Sequence, residues 1–274
     1  MGGMTGSDGY VLGRAASEIE RLRLQAEIYA SHSEHLLVLA GIRPGLRVLD
    51  IGCGAGDLTM IAARLVGPGG AVIGVDMDAD VLELARVRAR EAGLANVSFQ
   101  QATVPDLIPA EPVDALIGRL ILVHLADSAG TVRALSRLVR PGGVVTFQDL
   151  SPKHSGSEPE TPLVAQAYRW VVDSLRSRGG DPATGQRLYR VLRAAGFADI
   201  GVAAEIPAGT ADSAVPRFVA GTVRSLLPLI EATGVATREE VGIDTLAERI
   251  SAELAQVDAV LWPPELIGGW ARVR

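Results

Sequence analysis

The chain has 274 residues and a net charge of −6, with 48% hydrophobic and 21% charged residues. This composition favours a globular protein over a disordered one. The acidic balance argues against nucleic acid as a partner, because surfaces that bind the phosphate backbone are basic. The single cysteine, Cys53, excludes an internal disulfide framework, and the four histidines show no metal-ligand spacing. We therefore expect no metal site.

Membrane insertion and secretion are not expected either. No apolar run approaches the roughly 18 residues of a membrane span, because charges, glycines or prolines interrupt each one. The start of the chain has no basic region followed by an apolar stretch, which a secretory signal would show. We predict a cytoplasmic protein with no membrane partner. The oligomeric state stays open, a homo-oligomer included.

Residues 1–40 are predicted to form an N-terminal helical lid. Apolar residues recur at helical spacing from residue 15 to residue 40, with charges between them. Gly9 and Gly13 tether the start loosely, so Tyr10 could close over a bound ligand. The alternative is an ordinary packing or oligomer helix.

Residues 41–150 alternate between short apolar segments and amphipathic ones. The predicted strands are 47–51, 71–75, 97–100, 114–118 and 144–148, and the predicted helices are 58–66, 78–92 and 129–139. This alternation predicts an α/β fold with a doubly wound, mostly parallel sheet covered by helices on both faces. Ligands of such sheets bind outside the carboxyl ends of the strands.

Residues 151–274 interrupt this pattern with helical insertions at about 151–185 and 213–258. We predict a loop at 151–162, helices at 163–175 and 186–195, strands at 200–206 and 261–273, and a capping box formed by Thr237 and Glu240. The insertions have apolar faces that the sheet does not need. We expect them to form a pocket for a small-molecule acceptor.

The segment after the first strand carries the strongest functional signal. The strand runs into Gly52, Gly54 and Gly56, and a helix follows. Glycine lets the backbone turn sharply and approach a ligand, and the N–H groups at a helix start can hold an anion. Asp76 ends the next strand, about 20 residues further on, where a carboxylate can accept both hydroxyls of a ribose. Taken alone, such a loop also occurs in proteins that bind nothing.

Three features favour an adenosyl amino acid over a dinucleotide. The glycines are spaced G-x-G-x-G rather than G-x-G-x-x-G. Asp50 precedes the first glycine, a position suited to a cationic ammonium rather than a pyrophosphate. No second motif for a nicotinamide half follows.

These residues resemble the class I S-adenosylmethionine-dependent methyltransferases, in particular the branch similar to the ubiquinone/menaquinone C-methyltransferases. The resemblance covers nearly the whole chain and rests on the D-x-G-x-G-x-G pattern at 50–56, Asp76, the segment 118–125 and the turn at 140–143. It implies a Rossmann-like methyltransferase fold with a seven-stranded sheet and S-adenosyl-L-methionine as cofactor. The segments 9–13 and 268–270 resemble a bacterial subgroup often found with secondary metabolism.

The resemblance also implies a set of cofactor contacts. Met77 would pack on the adenine, whereas the acid that usually reaches the adenine amino group is replaced by Thr103, leaving its hydroxyl or the Val104 N–H. Arg119 would pair with an acidic group of substrate or cofactor, or else form a salt bridge within the protein. The predicted cofactor-binding residues are Tyr10, Asp50, Gly52, Cys53, Gly54, Gly56, Asp76, Met77, Thr103, Val104 and Arg119.

Methyl transfer from a sulfonium is an in-line displacement, so the protein mainly has to align the reactants and exclude water. A general base is needed only when the acceptor keeps a proton. The candidate catalytic residues are His124, Asp149 and His154. Their alternatives are a structural histidine, a capping carboxylate and a solvated loop histidine. Trp170 is more typical of a core than of a substrate platform.

The sequence therefore predicts an S-adenosylmethionine-dependent methyltransferase acting on a small molecule in natural-product biosynthesis. Two alternatives remain open. One is a macromolecular methyltransferase acting on protein or RNA, which the acidic balance opposes. The other is a protein that binds the adenosyl ligand without transferring methyl, such as a cyclase or a regulatory module.

Overall fold

The computed structural model describes residues 6–103, 111–125, 127–179 and 182–274. Contacts divide the chain into two compact units. The first unit comprises residues 1–29, 152–182 and 206–265, and the second comprises 30–151, 183–205 and 266–274.

The regular elements have the following bounds. The helices are α1 (Gly6–Ala40), α2 (Asp57–Val66), α3 (Ala79–Glu91), α4 (Ser128–Leu135), α5 (Pro162–Ser177), α6 (Leu188–Ala195), α7 (Val215–Ala232), α8 (Arg238–Val241) and α9 (Leu246–Gln256). The strands are β1 (Arg47–Ile51), β2 (Ala71–Asp76), β3 (Val97–Gln101), β4 (Val113–Arg119), β5 (Val139–Ser151), β6 (Gly156–Glu158), β7 (Ile200–Glu205), β8 (Val260–Trp262) and β9 (Glu265–Arg272). Short 3-10 turns cover Leu122–His124, Ser136–Leu138 and Thr184–Arg187.

A seven-stranded sheet with the order β3-β2-β1-β4-β5-β9-β7 organises the second unit. The pairs β1–β2, β2–β3, β1–β4 and β4–β5 are parallel, and β7–β9 is antiparallel. The predicted doubly wound, mostly parallel α/β fold is confirmed. The strand order reverses between β1 and β4, which is the switch point where such sheets bind ligands.

Both faces of the central strands are covered. On β1, Leu49 and Ile51 belong to one apolar cluster with Leu116 and Phe147. Val48 belongs to a different apolar cluster on the other face, and residues of the helices α1 and α2 form part of that cluster. Burial on both faces is typical of parallel strands. It explains why apolar and polar residues do not alternate along β1, where Val48 and Leu49 are both apolar.

In the first unit, α5, α7 and α9 pack around an apolar core that includes Trp170. Trp170 is a core residue, as predicted. The part of α1 in this unit also contributes: Leu24 and Tyr29 are buried, and the Tyr29 ring meets Phe218 edge-on at 5.9 Å. These contacts support the packing alternative for residues 20–29, whereas the side chain of Tyr10 lies outside the described ones. The lid role stays a prediction.

Several boundaries differ from the sequence-based prediction. The loop at 151–162 contains β6, which pairs antiparallel with β8; a three-residue strand is too short to show periodicity, and its partner is about a hundred residues away. The single last strand is divided into β8 and β9 by Pro263 and Pro264, which lack the N–H of a ladder hydrogen bond. Strand β5 is longer than predicted. The capping box at Thr237 and Glu240 is confirmed.

Candidate functional site

The glycine loop after β1 adopts a conformation that other residues avoid. Gly52, Gly54 and Gly56 have φ angles of 63°, 52° and 83°, in the left-handed region. A Cβ on Gly52 would lie 2.6 Å from Cδ1 of Ile121, just beyond β4, whereas a Cβ on Gly54 would meet nothing within 4 Å. The loop therefore packs against the segment after β4, at the switch point, and leaves open space beside Gly54.

Asp76 fixes this loop. Its Oδ2 accepts a hydrogen bond from the N–H of Gly54 at 2.9 Å, and its Oδ1 accepts one from the N–H of Asp78 at 3.1 Å. Asp78 itself caps α3 by accepting from Asp80 and Val81. The cap is thus a different residue from Asp76, as expected. Each carboxylate oxygen of Asp76 has a further lone pair that can accept a hydroxyl.

Asp50 is fully buried at the end of β1. Its Oδ2 accepts a hydrogen bond from Oγ1 of Thr59 at 2.6 Å, and among the described residues its Oδ1 has no partner. Burial raises the pKa of Asp50 to about 7, against the smaller opposing effects of Thr59 and Arg119. An unpaired buried carboxylate oxygen is costly. A cationic ammonium fits it, so the donor set here is compatible with an adenosyl amino acid.

Arg119 makes contacts within the second unit. Its Nη1 donates to Oγ of Ser33 at 3.0 Å, and its Nη2 lies 3.7 Å from Oδ2 of Asp57. Asp57 also pairs with Arg88 at 2.6 Å. These contacts favour the internal salt bridge over a contact with the ligand. The sequence pointed to neither Ser33 nor Thr59, because a lone hydroxyl in a helix gives no local signal.

The remaining predicted cofactor residues differ in how far they are exposed to solvent. Met77 is 72% exposed, and Thr103 is exposed two residues after the end of β3. Cys53 is buried, and burial raises the pKa of its thiol well above the usual range, so the thiol stays protonated. Val104 lies outside the described residues.

The three catalytic candidates have different surroundings. His124 is exposed in its 3-10 turn. Asp149 is buried near the end of β5; its Oδ1 accepts from the N–H of Leu150, and its Oδ2 has no partner among the described residues. Burial raises the pKa of Asp149 to about 7. His154 belongs to the first unit, and its Nδ1 lies 2.9 Å from Oε2 of Glu265.

A family model described as a methyltransferase domain matches residues 42–196, more than half of the chain. The chain belongs to this methyltransferase family. The match spans β1 to α6, and so includes the glycine loop, Asp76 and Asp149. The predicted family, its enzyme class and its cofactor, S-adenosyl-L-methionine, are confirmed at the level of the family.

Curated relatives agree with this assignment. The chain is 34% identical over 156 residues to the ubiquinone/menaquinone biosynthesis C-methyltransferase UbiE of Hahella chejuensis, covering 56% of this chain and 60% of the relative. It is 39% identical over 120 residues to the ubiquinone biosynthesis O-methyltransferase of Sodalis glossinidius, covering 43% and 47%. The chain thus spans about half of the length of the curated relatives it matches.

The fold is similar to that of the phosphoethanolamine N-methyltransferase 2 of Haemonchus contortus, solved with S-adenosyl-L-methionine. The TM-score is 0.52 at 19% identity, over 89% of this chain and 53% of that one. In the described part of the chain, no helix is both long and apolar enough to cross a membrane. The same residues contain no group of three or more His, Cys, Asp or Glu side chains that could hold a metal ion.

Proposed function

We propose that the chain transfers the methyl group of S-adenosyl-L-methionine to a small-molecule acceptor. The observation that carries this proposal is the switch-point arrangement: the Asp76 carboxylate accepts a hydrogen bond from the Gly54 N–H, and the buried Oδ1 of Asp50 has no partner among the described residues. When bound, the cofactor supplies a methyl group made electrophilic by the sulfonium. The residues of the chain then only have to bind, orient and exclude water.

Each cofactor residue has a proposed role. Asp76 accepts the ribose hydroxyls, Asp50 receives the ammonium, and the open space beside Gly54 lets the ligand approach the backbone closely. Met77 packs on the adenine, and Thr103 or the Val104 N–H contacts its edge. Tyr10 and Cys53 complete the proposed set, Tyr10 from the N-terminal segment and Cys53 through its backbone. Arg119 keeps its internal salt bridge and acts on the site through its charge near Asp50.

A small acceptor is favoured over a macromolecule by two observations. The curated relatives are named for the biosynthesis of ubiquinone and menaquinone, on both carbon and oxygen. The net charge of −6 disfavours RNA. His124, Asp149 and His154 are the proposed acceptor-side residues, and a role in natural-product biosynthesis belongs to the same proposal.

The test uses the purified full-length chain and S-adenosylmethionine that is isotopically labelled in its methyl group. Three mixtures are compared: a low-molecular-mass metabolite extract, bulk RNA and a protein extract. We expect label in a small product, together with stoichiometric S-adenosylhomocysteine, and loss of both with Asp76→Ala. Label in RNA or protein alone would support the macromolecular alternative. Cofactor binding without any transfer would support a non-transferring binding protein.

A further inference from the structure

Asp149 lies near the carboxyl end of β5 in the second unit, at the edge of the sheet where ligands of such folds bind. Side chains alternate between the two faces of a strand, so Asp149 shares a face with Phe147. The Ile121 side chain packs on the same apolar cluster as Phe147, and it is the side chain that a Cβ on Gly52 would meet at 2.6 Å. In the strand order β1-β4-β5, the segment after β4 therefore lies between the glycine loop and Asp149.

The backbone around Asp149 is fixed from two sides. Leu120, just after β4, has a φ of 57°, a left-handed conformation that is unfavourable for a residue with a Cβ. Its N–H donates to the carbonyl oxygen of Gln148, directly before Asp149, at 2.9 Å. The 3-10 turn Thr184–Arg187 comes so close that a Cβ on Gly185 would lie 2.7 Å from the carbonyl oxygen of Asp149. Strained backbone of the kind seen at Leu120 clusters at sites that hold a ligand, and it favours such a role here.

The carboxyl group of Asp149 is buried and only half paired. Only 3% of the residue is exposed. Its Oδ1 accepts a hydrogen bond from the N–H of Leu150 at 2.9 Å, whereas the described residues offer Oδ2 no partner. Burial raises the pKa of this carboxyl to about 7, and the Leu150 N–H opposes the rise. No cation of the described residues contributes to the shift.

The segments of the second unit that flank Asp149 carry titratable side chains that are exposed or bonded elsewhere. They include Arg119 at the end of β4, His124 in the turn after it, Arg187 in the turn beside Asp149 and Arg272 at the end of β9. Arg119 donates to Oγ of Ser33, and Arg272 donates to a backbone carbonyl oxygen at the other end of β5. The other two are exposed. A cation paired with Asp149 would therefore belong to a ligand.

A cationic hydrogen-bond donor is the complement of such a carboxyl. A buried carboxylate is costly unless a positive charge pairs with it. A hydrogen bond between an ammonium and a carboxylate is about twice as strong as one between neutral groups. Aliphatic amines carry the required charge at neutral pH, because their pKa is close to that of lysine, about 10.4. The Oδ2 atom of Asp149 therefore fits an ammonium group better than a neutral hydroxyl.

We propose that Asp149 determines specificity by receiving a cationic amine of the methyl acceptor, which makes the acceptor an amine-bearing small molecule. The inference rests on the proposed function. A protonated amine has no free electron pair, so Asp149 holds this group and a different atom of the acceptor is methylated. In this role Asp149 binds and orients the acceptor and does not remove a proton from it.

The binding test compares tyramine with tyrosol, which has the same phenol and a hydroxyl in place of the amine. The full-length chain is first saturated with S-adenosylhomocysteine, so that the proposed ammonium site at Asp50 is filled. With a pKa of about 7, the Asp149 carboxyl is half protonated at pH 7 and has to ionise to pair with the ammonium. Tyramine should therefore release about half a proton per molecule bound, and tyrosol none. Calorimetry in two buffers of different ionisation enthalpy measures the release, and equal values for the two compounds would overturn the proposal.

Nuclear magnetic resonance of the chain labelled with 13C at the aspartate carboxyl groups observes the residue itself. The Asp149 signal is identified by its absence in Asp149→Asn. We expect it to titrate near pH 7 in the free chain and below about pH 6 with saturating tyramine, because a nearby cation favours the ionised form. Tyrosol should leave the titration in place. An Asp149 signal that tyramine does not move would contradict the subsite.

Asp149→Asn keeps the shape of the side chain and removes its charge. Its affinity for tyramine should fall at least about tenfold, to that for tyrosol, and the proton release should vanish. Asp199→Asn is the matched control, because Asp199 is an aspartate of the second unit whose side chain is 90% exposed; its affinity for tyramine should equal that of the wild type. Equal tyramine affinity in Asp149→Asn and wild type would overturn the proposal. The proton release is measured on the wild-type chain, so the test stands if Asp149→Asn misfolds.

Turnover separates this proposal from the general function. With labelled S-adenosylmethionine, methyl transfer to tyramine should be at least about tenfold faster than to tyrosol at equal low concentration, and Asp149→Asn should remove the difference. Transfer to both compounds at the same rate would overturn the subsite and leave the proposed function in place. Proton release on tyramine binding by a chain that methylates neither compound would contradict the proposed function and not the subsite.

Discussion

The carboxylate of Asp76 accepts a hydrogen bond from the backbone N–H of Gly54, with 2.9 Å between the two atoms. The last residue of β2 therefore fixes the middle glycine of the loop that follows β1. The side chain proposed to receive the ribose hydroxyls also determines the shape of the loop proposed to receive the rest of the cofactor. Its removal should affect both.

Asp76→Ala should weaken S-adenosylmethionine binding at least roughly tenfold. A hydrogen bond to a charged group contributes about 1.5–3 kcal/mol, and about 1.4 kcal/mol corresponds to one decade of affinity. Thr103→Ala should cost less, because a neutral hydroxyl contributes about 1 kcal/mol. Calorimetry measures both. Asp80→Ala, on the exposed first turn of α3, removes an equal charge nearby and should change little. A larger loss from Thr103→Ala than from Asp76→Ala would contradict the proposed adenine contact.

Gly54→Ala should abolish cofactor binding while leaving the chain folded. The position has φ 52°, and a Cβ there meets no protein atom within 4 Å, so the cost to folding is only that of the left-handed backbone, about 1–2 kcal/mol. The added methyl group would instead occupy space proposed for the ligand. Gly45→Ala is the matched control, with φ 84° and equally open surroundings. Equal loss of affinity in both variants would mean that strain, rather than the ligand space, is responsible.

Asp149 should make the chain less stable as the pH rises from about 4 to about 7. Burial raises the pKa of Asp149 to about 7 from its usual value of 3.8, so over this range the carboxyl is protonated when folded and ionised when unfolded. Its stabilising effect is complete below the unfolded pKa and is lost as the pH passes the folded one. Relative to wild type, Asp149→Asn should gain stability by up to about 1.4 kcal/mol per pH unit between pH 5 and 7. Urea unfolding at several pH values measures this difference, and a difference that is independent of pH would contradict the prediction.

A deletion that tests the predicted N-terminal lid has to end before the buried residues of α1. Removing residues 1–30 would also remove Leu24 and Tyr29, which are buried in the first unit. A loss of activity could then result from unfolding rather than from the loss of a lid. Removing residues 1–17 leaves both in place. We expect this variant to retain its far-UV circular dichroism and to lose methyl transfer, with Tyr10→Ala as the single-residue counterpart. Folded and fully active truncated protein would contradict the lid.

Local features of the sequence predicted most of the second unit. The strand β1, its glycines, Asp76 and the Asp78 cap lie within about thirty residues of one another, so their spacing alone was enough to predict them. The features that the sequence did not predict are contacts between residues far apart in the chain. Arg119 meets Ser33 across 86 positions and His154 meets Glu265 across 111, and neither pair leaves a periodic trace. The short strand β6 and its pairing with β8 were missed for the same reason.

Isothermal titration calorimetry of the purified chain shows which cofactor the glycine loop binds. The Asp50–Gly56 spacing and Asp76 predict that S-adenosylmethionine and S-adenosylhomocysteine bind, and that NAD and FAD do not. Asp76→Ala titrated in parallel shows whether the heat comes from this site. Tight binding of NAD with no binding of either adenosyl amino acid would contradict the assignment of S-adenosylmethionine to this site.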